Sequence, residues 1–388
     1  MIGHLPSDWR DALLLGRIQT REGPTPVLLT GGRIKDVSRV APTVSQLLNE
    51  WTGKVPNGVD LGPIEEHAIQ PAFLGPSGGG GLRLLSPFDL QCIKASGVTF
   101  AVSALERVIE ERARGDAARA DSLRADLRDR VGADIRAVKP GSAAAKRLKD
   151  ALLSDGLWSQ YLEVAIGPDA EIFTKSPPLS SVGWGDWVGV RADSAWNNPE
   201  PEVVLACDRA GRILGAALGN DVNLRDIEGR SALLLGKAKD NTASCAIGPF
   251  IRLFDDRFTL DDVRRAVVRL EIEGDDGFRL EGKSSMSEIS RDPADLVAQT
   301  LSKNHQYPDG FALFLGTMFA PVVDRDTPGL GFTHKPGDIV RVSSERCGVL
   351  ENKVQTCDRV PPWNFGLGDL MHNLAGRGLL SRSSSSGS

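Results

Sequence analysis

A predicted β-hairpin near the middle of the chain constrains its fold more than any other segment. The apolar runs Val203 to Ala206 and Ile213 to Leu218 flank a glycine-containing turn at Asp208 to Gly211, which is the pattern of two antiparallel strands. A second pair of alternating segments, Val267 to Glu273 and Phe278 to Leu280, predicts another hairpin. We therefore expect the second half of the chain to be rich in antiparallel sheet.

Helical patterns accompany these strands. Thr43 to Trp51 has the composition of a short helix, and Ala101 to Val131 is rich in Ala, Arg, Glu and Leu with apolar residues at helical spacing. Asp292 followed by Pro293 has the residue types of a helix N-cap and a first helical position. Together with the hairpins, these segments predict an α+β fold.

The length of the chain bears on its domain organisation, because 388 residues exceed the usual size of a single hydrophobic core. We predict a small N-terminal domain in residues 1–74, a glycine-rich connector in residues 75–86, a larger domain carrying the active site in residues 87–380, and a serine-rich disordered tail in residues 381–388. The connector lacks the Gly-Lys-Ser/Thr ending of a phosphate-binding loop, so we interpret it as a flexible link.

Charge and hydropathy exclude two classes of partner. The formal net charge is -5 and no stripe of Lys and Arg occurs, so the chain offers little attraction to nucleic acid. No stretch reaches the roughly 18 uninterrupted apolar residues of a membrane span, and residues 1–10 lack the pattern of a secretion signal. We expect a cytoplasmic protein that binds neither nucleic acid nor membrane.

The cysteines and histidines do not form a recognisable metal or disulfide pattern. The five cysteines stand at long spacings without a CxxC pair, and no two of the five histidines form an HExxH or HxH pair. A disulfide framework or a zinc site is therefore not expected. Any metal ion bound by this chain would be held by oxygen atoms.

Acidic residues at the open end of the first hairpin could provide those oxygen atoms. Side chains alternate along an extended chain, so Glu200 and Glu202 point to the same side, and Asp221 can return to them from the second strand. Three carboxylates suit Mg²⁺ or Mn²⁺ better than Zn²⁺. Exposed strands often carry acidic pairs as well, so the spacing alone leaves open a solvated acidic strand.

Several short motifs in the chain occur together in one known superfamily. They are Glu171 to Lys175, Glu200 with Glu202, Asn220 to Val222, Arg225 to Arg230, Lys239 ahead of Gly248-Pro249, Phe314 to Thr317, and Lys335 to Asp338. Jointly they resemble the fumarylacetoacetate hydrolase superfamily over roughly residues 90 to 360, and within it the dehydratases that act on pentonates.

This resemblance implies a fold, an activity and a cofactor. The implied fold is a rolled, mixed β-sheet domain preceded by a small N-terminal domain, assembled as a homo-oligomer. The implied reaction is the Mg²⁺-dependent dehydration of a small 2-keto sugar acid, 2-keto-3-deoxy-D-xylonate, to 2,5-dioxopentanoate, with Mn²⁺ as a possible substitute. Glu200, Glu202 and Asp221 would hold the metal ion, while Glu171 and Lys239 would be the catalytic residues.

The choice of lysine rests on spacing within the resemblance. Lys237 also fits a Gly-Lys-x-x-Asp pattern, but Lys239 keeps the distance to Gly248-Pro249 that the superfamily shows. Burial and a nearby metal ion are both expected to lower the pKa of Lys239, which would suit a base. A Schiff-base lysine is a competing interpretation that would leave the three carboxylates without a purpose.

Substrate contacts are implied at Ser103, Glu106, Gly316 and Thr317. Superfamily members that cleave carbon-carbon bonds activate water with the His and Glu of a Tyr-x-x-His-x-x-Glu stretch, and this chain has Ser103 at the histidine position. A serine without a partner is not a general base near neutral pH. The substitution favours dehydration over two alternatives that stay open, an acylpyruvate or fumarylacetoacetate-type hydrolase and a non-catalytic sugar-acid binding protein.

Overall fold

Strands account for most of the regular structure in the protein. The computed structural model describes residues 1–75, 82–100, 104, 138–154, 156, 158–317, 319, 323–326 and 331–380. The strands are β1 (Leu14–Gln19), β2 (Pro24–Thr30), β3 (Arg33–Asp36), β4 (Val59–Pro63), β5 (Arg83–Leu85), β6 (Cys92–Gly97), β7 (Glu171–Ser176), β8 (Trp187–Val190), β9 (Asn197–Asn198), β10 (Pro201–Cys207), β11 (Ile213–Asp221), β12 (Asn223–Leu224), β13 (Cys245–Leu253), β14 (Val267–Glu273), β15 (Arg279–Ser285), β16 (Phe311–Phe314), β17 (Ile339–Ser344) and β18 (Gly348–Thr356). The α-helices are α1 (Val44–Asn49), α2 (Ala143–Ser154), α3 (Gln160–Ile166), α4 (Arg225–Glu228), α5 (Leu235–Lys239), α6 (Leu260–Arg264), α7 (Pro293–Thr300) and α8 (Leu367–Gly376).

A large mixed sheet forms the centre of the molecule. Its strand order is β4-β3-β2-β1-β13-β11-β10-β16-β6-β7, with β5 paired to β1. Neighbouring strands are antiparallel except for β16 and β6, which run parallel. A second sheet has the order β15-β14-β17-β18-β8, and a short pair joins β9 to β12. The predicted α+β class and both predicted hairpins are confirmed.

The large sheet is buried on both faces, as β10 illustrates. Every residue of β10 is buried, and its side chains alternate between two apolar clusters. Val203 and Leu205 join a cluster that also contains Leu270 and Val342 of the second sheet. The intervening residues of β10 pack instead into a cluster with α1. The central strands are therefore mostly apolar, and the carboxylates of β10 and β11 lie near one end of their hairpin.

The two helix starts predicted from the sequence are present. Thr43 precedes α1, and its Oγ1 accepts a hydrogen bond from the backbone N–H of Gln46 at 3.0 Å. Asp292 precedes α7, with Pro293 in the first helical position and Oδ1 accepting from the N–H of Ala294 at 2.8 Å. Both caps satisfy backbone N–H groups that the first helical turn leaves without partners.

The predicted division into two domains stays a prediction. The N-terminal strands belong to the same sheet as the central hairpin, because β1 pairs with β13 through Leu14 opposite Arg252. The predicted helices between Ala101 and Val131, apart from Ala104, and the tail in residues 381–388 lie outside the described residues, as does half of the connector. Across the described part of the chain, no helix has the length and apolar character that crossing a membrane requires.

Candidate metal and substrate site

The open end of the β10–β11 hairpin brings three carboxylates together. The backbone N–H of Asp221 donates to the carbonyl of Glu200 at 3.0 Å, and Glu202 lies opposite Gly219 in the register of the two strands. One carboxylate oxygen from each of Glu200, Glu202 and Asp221 lies within 4.8 Å of the other two. All three residues are buried, so the structure contradicts the alternative of a solvated acidic strand.

Two lysines approach this acidic triad. Lys239, the last residue of α5, donates from Nζ to Glu200 Oε2 at 2.6 Å and to Asp221 Oδ2 at 3.0 Å. Lys175 in β7 places its Nζ 2.8 Å from Asp221 Oδ1. Lys237 is exposed. The arrangement therefore agrees with the choice of Lys239 over Lys237.

A backbone amide in the turn after β16 also contacts the acidic triad. The backbone N–H of Gly316 donates to Glu202 Oε2 at 2.6 Å. Gly316 has φ +87°, and a Cβ atom there would overlap the hydroxyl of Thr99, so only glycine fits without strain. Thr317 also borders the site, where its hydroxyl donates to the carbonyl of Phe319 at 3.2 Å. The backbone amide of Gly316, a residue implied to contact substrate, is thus directed to a protein carboxylate.

Glu171 enters the same cleft from the first position of β7. It lies opposite Gly97 of β6, and a Cβ atom at residue 97 would overlap Glu171 Oε2. The cleft is lined by Glu171, Lys239, Gly316, Thr317 and the acidic triad, together with further residues of β6, β7, α4 and α5. Ser103 and Glu106 lie outside the described residues, so their contacts with substrate stay a prediction.

Charge and burial shift the pKa values of the acidic triad in different directions. Burial raises the pKa of Glu200, and the nearby ammonium of Lys239 offsets this only in part. Burial, with the charges of Asp221 and Glu200, raises the pKa of Glu202 well above its ordinary value. Burial also opposes ionisation of Asp221, but Lys175 and Lys239 outweigh it and lower the pKa of Asp221.

The pKa of Lys239 shifts in the direction opposite to the one expected from the sequence. Burial lowers the pKa of this ammonium, but the carboxylates of Asp221 and Glu200 outweigh burial, and the pKa of Lys239 is raised. The sequence-based expectation of a lowered pKa considered burial and a metal ion but not direct ion pairing. In this arrangement Lys239 is a protonated counter-ion of the acidic triad.

Comparison with known proteins agrees with the fold and the site. Residues 203–355 match the model of the fumarylacetoacetate (FAA) hydrolase C-terminal domain. This part of the chain is similar to that domain. The match contains Asp221, Lys239 and Gly316, and Glu200 and Glu202 directly precede it.

Curated relatives and a solved structure of the same kind are also similar to the chain. It is 33% identical over 196 residues to the probable 2-keto-3-deoxyxylonate dehydratase of Haloferax volcanii, covering 50% of this chain and 64% of that protein. It is 33% identical over 188 residues to the 2-dehydro-3-deoxy-D-arabinonate dehydratase of Saccharolobus solfataricus, covering 48% and 58%. The chain thus aligns with less than two thirds of the length of either relative.

The solved structure extends the likeness of the fold beyond the FAA hydrolase domain. A 2-keto-3-deoxy-D-arabinonate dehydratase in complex with magnesium and 2,5-dioxopentanoate superposes with a TM-score of 0.63 at 22% identity, covering 88% of this chain and 99% of that one. Because the likeness covers 88% of the chain, it includes residues outside the segment 203–355 that the domain model matches.

The donor set of the acidic triad fits a hard divalent cation. Its three carboxylates present oxygen atoms close enough to surround one ion, and oxygen donors are preferred by Mg²⁺, Mn²⁺ and Ca²⁺. The two lysines supply less positive charge than the three carboxylates supply negative charge. A divalent cation together with one of the two lysines would balance the charge of the three carboxylates.

Sequence analysis missed three contributors to the site. Lys175 and Phe173 lie on the same face of β7 as Glu171, and the Phe173 ring lies 5.8 Å from Lys239 Nζ. Glu228 of α4 borders the cleft and accepts from Asn223 Nδ2 at 2.6 Å. The alternation of Glu171, Phe173 and Lys175 along one strand was the signal that could have identified the first two.

Proposed function

We propose that this protein is a divalent-metal-dependent dehydratase of 2-keto-3-deoxypentonates, with 2-keto-3-deoxy-D-xylonate as its substrate and 2,5-dioxopentanoate as its product. The observation that carries the proposal is the buried triad of Glu200, Glu202 and Asp221 beside Lys239 and Glu171. The names of the relatives, both dehydratases of 2-keto-3-deoxy pentonates, support this reaction. We propose Mg²⁺ as the metal ion, with Mn²⁺ as a substitute.

The reaction requires several proton transfers within one closed site. C3 of the substrate loses a proton and C4 loses its hydroxyl as water; a proton then moves from C5 to C3, and the resulting C4–C5 enol becomes the C5 aldehyde. The triad would hold a divalent cation, which supplies Lewis-acid stabilisation of the negative charge that develops on the keto oxygen.

The residues of the chain would manage the protons. Glu171 and Lys239 border the same cleft, and we propose that they exchange protons with C3, C5 and the leaving hydroxyl. Burial of the triad limits access of water, which strengthens the electrostatic interactions inside the site. The amide of Gly316 fixes the carboxylate of Glu202 through the hydrogen bond described above.

Product identification tests this function directly. Purified protein with Mg²⁺ is incubated with 2-keto-3-deoxypentonates of both C4 configurations, and the C5 aldehyde is followed with a coupled aldehyde dehydrogenase. We expect 2,5-dioxopentanoate from the D-xylonate derivative. Turnover of only the other configuration would correct the substrate, and absence of the aldehyde from both would contradict the dehydratase.

A carbon-carbon hydrolase is the second candidate, because the matching domain model is that of fumarylacetoacetate hydrolase. Acylpyruvates and fumarylacetoacetate, tested under the same conditions, should release little pyruvate or acetoacetate if dehydration is the reaction. Efficient cleavage of either compound would favour the hydrolase. Assembly as a homo-oligomer and a cytoplasmic location remain predictions from the sequence.

A further inference from the structure

The two lysines beside the acidic triad are held in different ways. The side chain of Lys175 is fully buried, and its Nζ donates to the carbonyl of Val222 at 3.2 Å, to Ser244 Oγ at 3.4 Å and to the carbonyl of Lys239. Its ion pair with Asp221 is a fourth contact. Displacing this ammonium would leave several buried acceptors unsatisfied, at high cost.

Lys239 is held mainly by charge. Within the part of the chain that the structure describes, its Nζ donates to Glu200 Oε2 and Asp221 Oδ2, and no backbone carbonyl is among its acceptors. It lies at the last residue of α5, beside a cleft that its side chain borders. Its displacement by another cation would therefore break two ion pairs with carboxylates.

The position of the Lys239 ammonium is the position that a metal ion would need. It bridges two of the three carboxylates whose oxygens lie within 4.8 Å of one another. A Mg²⁺ ion binds oxygen at about 2.0–2.1 Å, so it would require the same oxygen atoms. A divalent ion and an ammonium at such short range also repel each other strongly in a buried site.

The charge balance supports an exchange between the two cations. With all three carboxyl groups ionised, the two ammonium groups leave the cluster with one negative charge. If a divalent cation replaces Lys239 while Lys175 stays, the cluster becomes neutral. If Lys239 stayed as well, the cluster would carry one positive charge at a site from which water is largely excluded.

We propose that Lys175 is a fixed counter-ion that positions Asp221, and that Lys239 is a displaceable counter-ion which holds Glu200 and Asp221 together until a divalent cation takes its place. On metal binding, the ammonium of Lys239 moves into the cleft, where it reaches the substrate. Metal binding therefore precedes productive substrate binding. This inference rests on the proposed function only for the identity of the site as a metal site.

Amine labelling of the full chain tests the displacement. The protein, freed of metal by chelation and dialysis, is treated with acetic anhydride with and without Mg²⁺, and acetylation is measured by peptide mass spectrometry. We expect Mg²⁺ to increase labelling of Lys239 severalfold, while exposed Lys237 stays constant as an internal control and Lys175 stays unlabelled. Unchanged or reduced labelling of Lys239 would overturn the proposal.

Metal affinity provides a second and independent measurement. Titration calorimetry with Mg²⁺ alone, at alkaline pH, compares the natural chain with Lys239→Met and with the matched control Lys237→Met. Removal of the competing ammonium should tighten Mg²⁺ binding by about tenfold or more. It should also lower the melting temperature of the metal-free protein and enlarge the rise in melting temperature that Mg²⁺ causes. The control variant should behave like the natural chain.

The outcomes separate this inference from the proposed function. If Lys239→Met binds Mg²⁺ with unchanged or weaker affinity, Lys239 does not compete with the metal ion, and the metal site itself stands. If neither chain binds Mg²⁺ or Mn²⁺, both the metal site and the exchange are wrong. Lys175→Met should instead weaken Mg²⁺ binding, because Asp221 loses the group that orients it.

Discussion

The carboxylate of Glu171 fills the space that a side chain on Gly97 would need. The two residues face each other across β6 and β7, and a Cβ atom at residue 97 would overlap Glu171 Oε2. The glycine thus permits the carboxylate to lie against the sheet at the edge of the cleft. Gly97 has no reactive side chain, but it leaves the space in which the proposed acid/base carboxylate of Glu171 lies.

We expect Gly97→Ala to lower turnover by about tenfold to a hundredfold, because a carboxylate displaced by about 1 Å transfers protons less effectively. Glu171→Gln should lower turnover by about a hundredfold or more. The double variant should be no slower than Glu171→Gln, since both changes act through one group. The measurement is kcat for 2-keto-3-deoxypentonates, with Mg²⁺ affinity as the control for folding. Additive losses would contradict the relationship.

Removal of divalent metal should abolish turnover and lower thermal stability. The three buried carboxylates repel one another, and the lysines compensate only part of their charge. A ligand present at about 100 times its Kd stabilises the native state by about 2.7 kcal/mol. The melting temperature should therefore rise with Mg²⁺ concentration and fall after chelation, and Mn²⁺ should restore activity. Full turnover in excess EDTA after dialysis would exclude a metal-dependent reaction.

The local part of the site could be predicted from the sequence, and the long-range part could not. Alternation along one hairpin is sufficient to place Glu200, Glu202 and Asp221 together. The pairing of Gly97 with Glu171 joins strands separated by more than 70 residues in the sequence, and local patterns carry no information about it. For the same reason local patterns did not predict that β1 pairs with β13.

The pKa of Lys239 shows a second limit of sequence analysis. The direction of its shift depends on whether burial or ion pairing dominates, and that balance depends on distances of a few ångströms. Spacing in the sequence places Lys239 near the site but does not give its distance to Glu200. Only the geometry shows that two carboxylates contact the ammonium and reverse the expected shift.

Mg²⁺ binding should become tighter as the pH rises. The pKa of Glu202 is raised, mainly by burial, so this carboxyl keeps its proton above its ordinary pKa of 4.5 in the metal-free protein. A metal ion must displace that proton, and its affinity therefore increases with pH until the pH exceeds the raised pKa. Titration calorimetry in buffers with different ionisation enthalpies should detect proton release on binding. An affinity that is independent of pH between 4.5 and neutrality would contradict this expectation.

The motif from Lys335 to Asp338 has a structural role. Disrupting it should lower the stability of the fold without weakening metal binding. Asp338 is buried and accepts from both terminal nitrogens of Arg325, at 2.7 and 2.9 Å, and from the backbone N–H of Lys335 at 3.0 Å. These contacts, with His334, outweigh burial and hold the pKa of Asp338 below its ordinary value.

Asp338→Asn should lower the free energy of unfolding by about 3 kcal/mol, because it leaves the buried charge of Arg325 without its bidentate partner. Asp276→Asn is the matched control, since Asp276 accepts from the same guanidinium at 2.9 Å but is partly exposed. Solvent screens such a pair, so its loss should destabilise the fold less than the loss of Asp338. Because the pKa of Asp338 is lowered in the folded state, its contribution is present above the unfolded pKa of about 3.9 and is lost as the pH falls through the folded value. Urea unfolding of both variants at neutral and acid pH measures these differences. The unfolding free energies of the two variants should converge at low pH.

Mg²⁺ affinity should be unchanged in both variants. Equal losses from the two substitutions at neutral pH, or a weakened metal site in Asp338→Asn alone, would show that the motif does not act through the buried ion pair.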